Sequence, residues 1–254
     1  WLWPKIFEVM HKDRAAFEAA EVWLEAGDWL VSQLVGGEAG SLPRSTCQAG
    51  YKACCLREYG HPSVEFLDAV EAGLSIAREK VALGRMLAPG EVAGTLTGDT
   101  AKRFGLRAGI PVSAAIIDAH AGVPGAGVGD GGALVMVLGT SGCHMLLSRR
   151  EELIPGVAGI VRDGILPGFI GYETGQAAMG DAFDWARRLA GHADHRELER
   201  AARDIPAGSE GVIALDWFNG CRTPLMDGSL KGTITGLTLE HTAAHVYRAT
   251  LEAS

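Results

Sequence analysis

Residues 108–148 read AGIPVSAAIIDAHAGVPGAGVGDGGALVMVLGTSGCHMLLS. The first part, 108–120, is a continuous apolar run bounded by Gly-Ile-Pro and by Asp118, the pattern of a strand buried on both faces. The middle, AGVPGAGVGDGG (121–132), is rich in glycine and marks a domain boundary or hinge. The last part sets two strand-like runs, ALVMVL and HMLLS, on either side of Gly139-Thr140-Ser141-Gly142-Cys143, which reads as a β-hairpin.

Outward from this stretch the chain alternates. GILPGFIGYE (164–173) is a third strand run ending at Glu173. TGQAAMGDAFDWARRLAG (174–191) then predicts a helix with Thr174 near its N-cap and Gly191 at its end. VIALDWF (212–218) and GTITGLTL (232–239) read as later strands, and the pattern from 241 onward as an amphipathic helix. Before residue 108 the reading is mostly helical. Asp28 is the expected N-cap of WLVSQLV, with Gly36-Gly37 as its stop. Ser63 caps VEFLDAVEA, with Gly73 as terminator, and Thr97 opens a short helix to Phe104 that ends at Gly105. Helices and strands interleave throughout, so the expected class is α/β.

The 254 residues are enough for one large or two smaller domains with a proper core. Glycine accounts for 35 of them, about twice the usual ~7%, which points to tight turns and close backbone approaches. A net charge of −8 argues against a protein whose main business is the nucleic-acid backbone. The weakly charged stretch 131–147 contains Thr140, Ser141, His144 and glycines, so no membrane span is expected. The five cysteines, at 47, 54, 55, 143 and 221, form no CxxC pair and fit a reduced cytoplasmic setting. The chain opens on Trp1 and closes on a helical pattern without a terminator, so the expectation is a piece of a longer protein.

Several residues invite chemistry. Asp118, at the end of the expected buried strand, has the position of a general base toward a hydroxyl. The plainer alternative is an aspartate capping a following helix, and caps are far commoner. The Gly139–Thr140–Ser141 turn offers backbone N–H groups and two hydroxyls to phosphate oxygens, though an ordinary hairpin is commoner and no Walker lysine follows it. Lys52, in AGYKACC, is a cation in apolar company that needs a partner or a ligand, unless it snorkels to the surface. Glu173, just before a helix start, suits either a ligand or the helix dipole. His241 and His245 have helical ligand spacing but lack the metalloprotease glutamate. His192, His195 and the Asp118/His120 pair lack a full ligand set, so no protein-bound metal is expected.

Taken together, GTITGLTLEHTAAHVYRATLE (232–252), the glycine-rich hinge after Asp118 and the strand–GTS–strand hairpin resemble the FGGY carbohydrate kinases. Within that family, AGYKA (49–53), DAHAGVPGAGV (118–128), LVMVLGTSGCHMLL (134–147), DGILPGFIGYETGQAAMGD (163–181) and LDWFNGCRTPLMDGSLKG (215–232) resemble the branch acting on L-ribulose. The resemblance implies two domains of the actin/hexokinase/Hsp70-like (ribonuclease H-like) fold, both incomplete here. Residues 1–130 would be the later part of the sugar-binding domain and 131–254 the first part of the nucleotide-binding domain. A first hairpin carrying Asp-Phe-Gly-Thr and an adenosine-binding Gly-Gly segment would lie outside this sequence, leaving the piece inactive by itself.

The resemblance further implies Asp118 as the catalytic base and Lys52 and Glu173 as sugar-binding residues. Gly139, Thr140, Ser141 and Gly180 would be the ATP-phosphate site. It implies ATP with Mg²⁺ held mainly through the phosphates, a small sugar as partner, no nucleic acid or membrane, a homodimer left open, and cytoplasmic residence in L-arabinose breakdown. Kinases for D-ribulose, xylulose or ribitol, and an inactive fragment, stand as the alternatives. One departure is Gly142: GTSGC stands where many relatives read GTSTC, which removes a hydroxyl beside the phosphates.

Overall fold

The computed structural model describes residues 1–56, 59–157, 159–191 and 194–254. In chain order, the first elements are α1 (Leu2–Lys12), α2 (Arg14–Ala19), α3 (Ala26–Val35), β1 (Pro43–Ser45), α4 (Thr46–Ala53), α5 (Val64–Val70) and α6 (Ala77–Ala82). After them run β2 (Arg85–Leu87), β3 (Val92–Thr95), α7 (Gly98–Phe104), β4 (Pro111–Ser113) and α8 (Asp118–Gly125). Four strands come next: β5 (Leu134–Leu138), β6 (Gly142–Ser148), β7 (Gly159–Arg162) and β8 (Ile170–Gln176). The remainder is α9 (Gly180–Leu189), α10 (His195–Arg203), β9 (Ile213–Leu215), β10 (Thr233–Thr235) and α11 (Ala243–Ala253). Helices and strands alternate as the sequence leads one to expect.

Two compact units divide the chain. The first comprises Trp1–Ala133, Leu146–Glu152 and Gly159–Tyr172; the second comprises Leu134–Met145, Leu153–Ala158 and Glu173–Ser254. Within the first, Leu2, Trp3, Ile6, Met10, Phe17, Leu67, Leu74 and Val81 build a helical core, tied at one side by the Trp3 indole donating to the Ala53 carbonyl at 2.8 Å. A smaller cluster of Val31, Leu87, Ala93 and Ala114 packs α3 on the antiparallel pair β3–β4. Gly94 permits that packing, because a Cβ there would lie 2.8 Å from Val35 Cβ.

Arg44, on β1, is buried with Asp28. Its Nε donates to Asp28 Oδ2 at 3.1 Å, Nη1 to the carbonyls of Val81 (2.9 Å) and Leu83 (2.8 Å), and Nη2 to that of Trp23 (3.2 Å). The Ser45 amide donates to Asp28 Oδ1 at 2.8 Å. A buried guanidinium is tolerated only when its donors are met in this way.

In the same unit α4 packs on β7. Gly50 makes the approach possible, since a Cβ there would stand 2.4 Å from Val161 Cγ1. Thr46 Oγ1 donates to the Asp163 carbonyl at 2.7 Å and Tyr51 Oη to the Gly171 carbonyl at 2.8 Å. Strands β5 to β8 form one sheet in the order β5-β6-β8-β7. In the second unit β9 pairs antiparallel with β10, and Ala186, Leu198, Ala202, Ala244 and Tyr247 bury α9, α10 and α11 against one another.

Four expectations are corrected. Residues 108–120 are not a strand buried on both faces: β4 covers only Pro111–Ser113, with its outer residues exposed. Only β3 pairs with it, α3 covers one face of that pair, and residues 114–117 belong to no strand or helix among the described residues. Asp28 is no N-cap: α3 starts a turn earlier, after Glu25, because the Asp28 carboxylate is drawn inward by Arg44 and Ser45. The third strand run does not end at Glu173, nor does a helix begin at Thr174. Strand β8 continues to Gln176, its Gly175 pressed so closely on β6 that a Cβ would lie 2.3 Å from the Gly142 carbonyl. The α5 helix ends at Val70 rather than at Gly73, which instead leads a short 3-10 turn. By contrast, Ser63 and Thr97 do cap their helices, and Gly36 and Gly105 do end theirs.

Candidate active site

In the first unit, Asp118 opens α8 and is exposed. Its Oδ1 accepts the amide of Ala119 at 2.8 Å, and Oδ2 has no hydrogen bond among the described residues. The position is that of a helix start, not a strand end, and the carboxylate is exposed. Two residues on, the buried His120 ring packs on Tyr51 with centroids 4.2 Å apart. This contact brings α8 to α4, the helix that carries Lys52.

Lys52 is half-buried in the last turn of α4, a position that suits a cation at a helix C-terminus. Burial pushes the Glu25 carboxyl up, and the Lys52 ammonium is the foremost charge holding it back. No hydrogen bond or ion pair joins Lys52 to Asp118 among the described residues. Sequence reasoning considers His120 only as a metal ligand beside Asp118 and does not consider Tyr51, so their ring contact is not foreseen.

In the second unit, the Gly139–Ser141 turn is closed by the Gly139 amide donating to the Ser141 carbonyl at 3.0 Å. Its other carbonyls meet the start of α9. The Gly139 oxygen accepts from Gly180 N at 3.0 Å, and the Thr140 oxygen accepts from Met179 N at 2.9 Å and Asp181 N at 3.4 Å. These bonds satisfy the first N–H groups of α9, which a helix start otherwise leaves open. A Cβ at 180 would lie 2.7 Å from the Gly139 oxygen, so only glycine allows the approach. Gly139, Thr140, Ser141 and Gly180 thus form one cluster, with Thr140 exposed and Ser141 half-buried.

Gly142 is buried next to this turn. A Cβ there would fall 2.9 Å from Met179 Cε and 3.3 Å from both His144 Nε2 and Gln176 Oε1. Position 142 is therefore crowded by Met179, and a threonine there would require Met179 to move.

Glu173 lies mid-strand on β8, buried, and its Oε1 accepts from Arg222 Nη2. Arg222 is not among the residues expected from sequence. It stands in NGCRTP, a polar, turn-forming stretch that carries no signal for a partner on β8. Burial, aided by the Arg222 charge, pushes the His144 imidazole below its ordinary value.

The histidines considered for metal serve other ends. His241 Nδ1 accepts the Thr238 amide at 2.9 Å, and His245 Nδ1 accepts the Thr242 amide at 3.1 Å, completing a capping box for α11. His195 Nδ1 lies 3.2 Å from Tyr247 Oη, and His192 falls outside the described residues. No group of three metal-ligating side chains stands together among the described residues. No helix among them is long and apolar enough to cross a membrane.

Residues 134–254 match the FGGY family of carbohydrate kinases, C-terminal domain. Over the whole chain the sequence is 41% identical to a ribulokinase of Shouchella clausii and 37% identical to one of Staphylococcus aureus (strain Newman), covering 47% and 48% of those proteins. The chain therefore spans about half the length of the curated relatives it matches. The fold superposes on a xylulose kinase from Rhodospirillum rubrum with a TM-score of 0.79 at 25% identity. For a gluconate kinase from Lactobacillus acidophilus the TM-score is 0.80 at 21% identity. Each match covers 99% of this chain and 49% of the other.

Proposed function

From the match of residues 134–254 to the C-terminal domain of the FGGY carbohydrate kinases and the fold shared with solved sugar kinases, we propose that this chain is part of an FGGY kinase that carries out the ATP-dependent phosphorylation of L-ribulose to L-ribulose 5-phosphate. The observation that carries the substrate is the 37–41% identity to ribulokinases along the entire chain. In this reading Asp118 takes the proton from the terminal sugar hydroxyl as that oxygen attacks the γ-phosphate, and Lys52 and Glu173 hold the other hydroxyls. Gly139, Thr140 and Ser141, backed by Gly180, meet the phosphates. Phosphoryl transfer asks mainly for alignment and charge neutralisation, so a carboxylate, a cation and a rigid phosphate turn are suited to it.

The glycine contact between 139 and 180 lets α9 back the turn directly, with no side chain between them, which supports a fixed turn geometry for the phosphates. Mg²⁺ belongs to the same reading as an ion carried by the ATP phosphates, where it would offset their charge. Residence in the cytoplasm, where ATP and reduced thiols are found, completes the proposal.

The test is a panel of ketopentoses and polyols assayed with Mg-ATP on the full-length protein. The highest kcat/KM is expected for L-ribulose. A higher value for xylulose, the substrate named for the Rhodospirillum rubrum relative, would overturn the substrate assignment and leave the family assignment standing.

A further inference from the structure

Resting on the reading of Glu173 as a sugar-binding carboxylate, we infer that Arg222 is its positioning residue, fixing how the carboxylate is presented to the sugar. Glu173 is buried on β8, and a carboxylate taken out of water must be held by donors to stay ionised and in one rotamer. Arg222 Nη2 donates to Oε1. A charged donor on that oxygen sets the rotamer and the plane in which the carboxylate meets a ligand hydroxyl.

Arg222 is itself held on two sides. Its Nη1 lies 3.6 Å from Cys143 Sγ on β6, two residues past the phosphate turn. The next residue, Thr223, accepts the Gly175 amide of β8 through Oγ1 at 3.2 Å. The segment behind it is closed by two backbone bonds of 2.9 Å between Cys221 and Asp227. Gly175 completes the seat, because a Cβ there would lie 3.2 Å from Arg222 Nη1. The guanidinium therefore reaches Glu173 from a moored loop, and a planar fork held this way orients a carboxylate better than a flexible ammonium does.

The experiment measures L-ribulose affinity by calorimetry without nucleotide, and KM for both substrates, in the full-length protein. The variants are Glu173→Gln, Arg222→Met, Arg222→Lys and the double Glu173→Gln/Arg222→Met. Arg222→Met is expected to weaken sugar affinity about tenfold or more, with KM for ATP unchanged. Arg222→Lys should restore part of the loss, and the double variant should be no weaker than Glu173→Gln alone. If Glu173→Gln weakens sugar binding and Arg222→Met does not, the inference is overturned and the Glu173 reading survives. It is overturned in the same way if the two losses multiply in the double variant, or if Arg222→Met raises only the KM for ATP. No effect of Glu173→Gln overturns both. Should Arg222→Met fail to fold by circular dichroism, the neutral pair Glu173→Gln/Arg222→Gln decides: an affinity below that of Glu173→Gln alone counts against the inference, and an equal one supports it.

Discussion

The amide of Gly180 donates to the carbonyl of Gly139 at 3.0 Å, and a methyl group on residue 180 would sit 2.7 Å from that same oxygen. Helix α9 and the 139–141 turn are thus in backbone contact with no room for a side chain. Gly180→Ala must separate them or strain them. Overpacking of this kind costs about 1–3 kcal/mol, read as a lowered midpoint in urea unfolding. On the proposed reading, the KM of the full-length protein for ATP should rise more than that for the sugar. An unchanged urea midpoint would show that the turn can yield.

Asp118→Asn should lower kcat by ~10²–10⁴ while calorimetry still detects sugar binding. The exposed carboxylate makes one local bond, to Ala119 N, so thermal stability should move little. Turnover above about a tenth of wild type would remove Asp118 from the role of base.

Lys52→Ala should raise the KM for L-ribulose about ten- to a hundredfold, the range for losing a charged hydrogen-bond partner, and leave the KM for ATP in place. A rise confined to ATP would show that Lys52 serves the nucleotide.

The Arg44–Asp28 pair yields a prediction about pH. Burial already pushes the Asp28 carboxyl above its ordinary value, and Arg44 opposes that shift. Arg44→Met removes the opposition and leaves a buried charge uncompensated, at a cost of about 3–5 kcal/mol at pH 7. The folded-state pKa of Asp28 then lies further above its unfolded value of ~3.9. Between those two values the folded state binds more protons than the unfolded one, so stability falls as pH rises. The deficit of the variant relative to wild type should therefore shrink on going from pH 7 to pH 4.5 in urea titrations. A deficit independent of pH would mean that the loss is one of packing.

Legibility in the sequence follows how local the cause is. Ser63, Thr97, Gly36 and Gly105 act on their own helices within a few residues, and the sequence shows their roles directly. Asp28 looks like a cap because Arg44 and Ser45, its actual partners, are 16 and 17 residues away. The apolar run before Asp118 looks doubly buried because a sequence shows hydrophobicity and not how many neighbouring strands are present. Glu173 stands out in the sequence, yet Arg222, 49 residues on, does not, since nothing in NGCRTP names the strand it faces. The Gly139–Thr140–Ser141 turn is legible as a hairpin, but its docking on α9 depends on Gly180, and a glycine in a helical stretch gives no hint of the carbonyl pressed against it.

The two bonds that seat α4, from Thr46 to the Asp163 carbonyl and from Tyr51 to the Gly171 carbonyl, span 117 and 120 residues. Those of Arg44 span only 16 to 39. Loop-closure entropy makes the longer spans about 1 kcal/mol more expensive to close, and contacts of that range form slowly. On these grounds the helices around Arg44 are expected to assemble before β7 and β8 arrive beneath α4. Until then the face of α4 that carries Gly50 and Tyr51 has no strand to cover it.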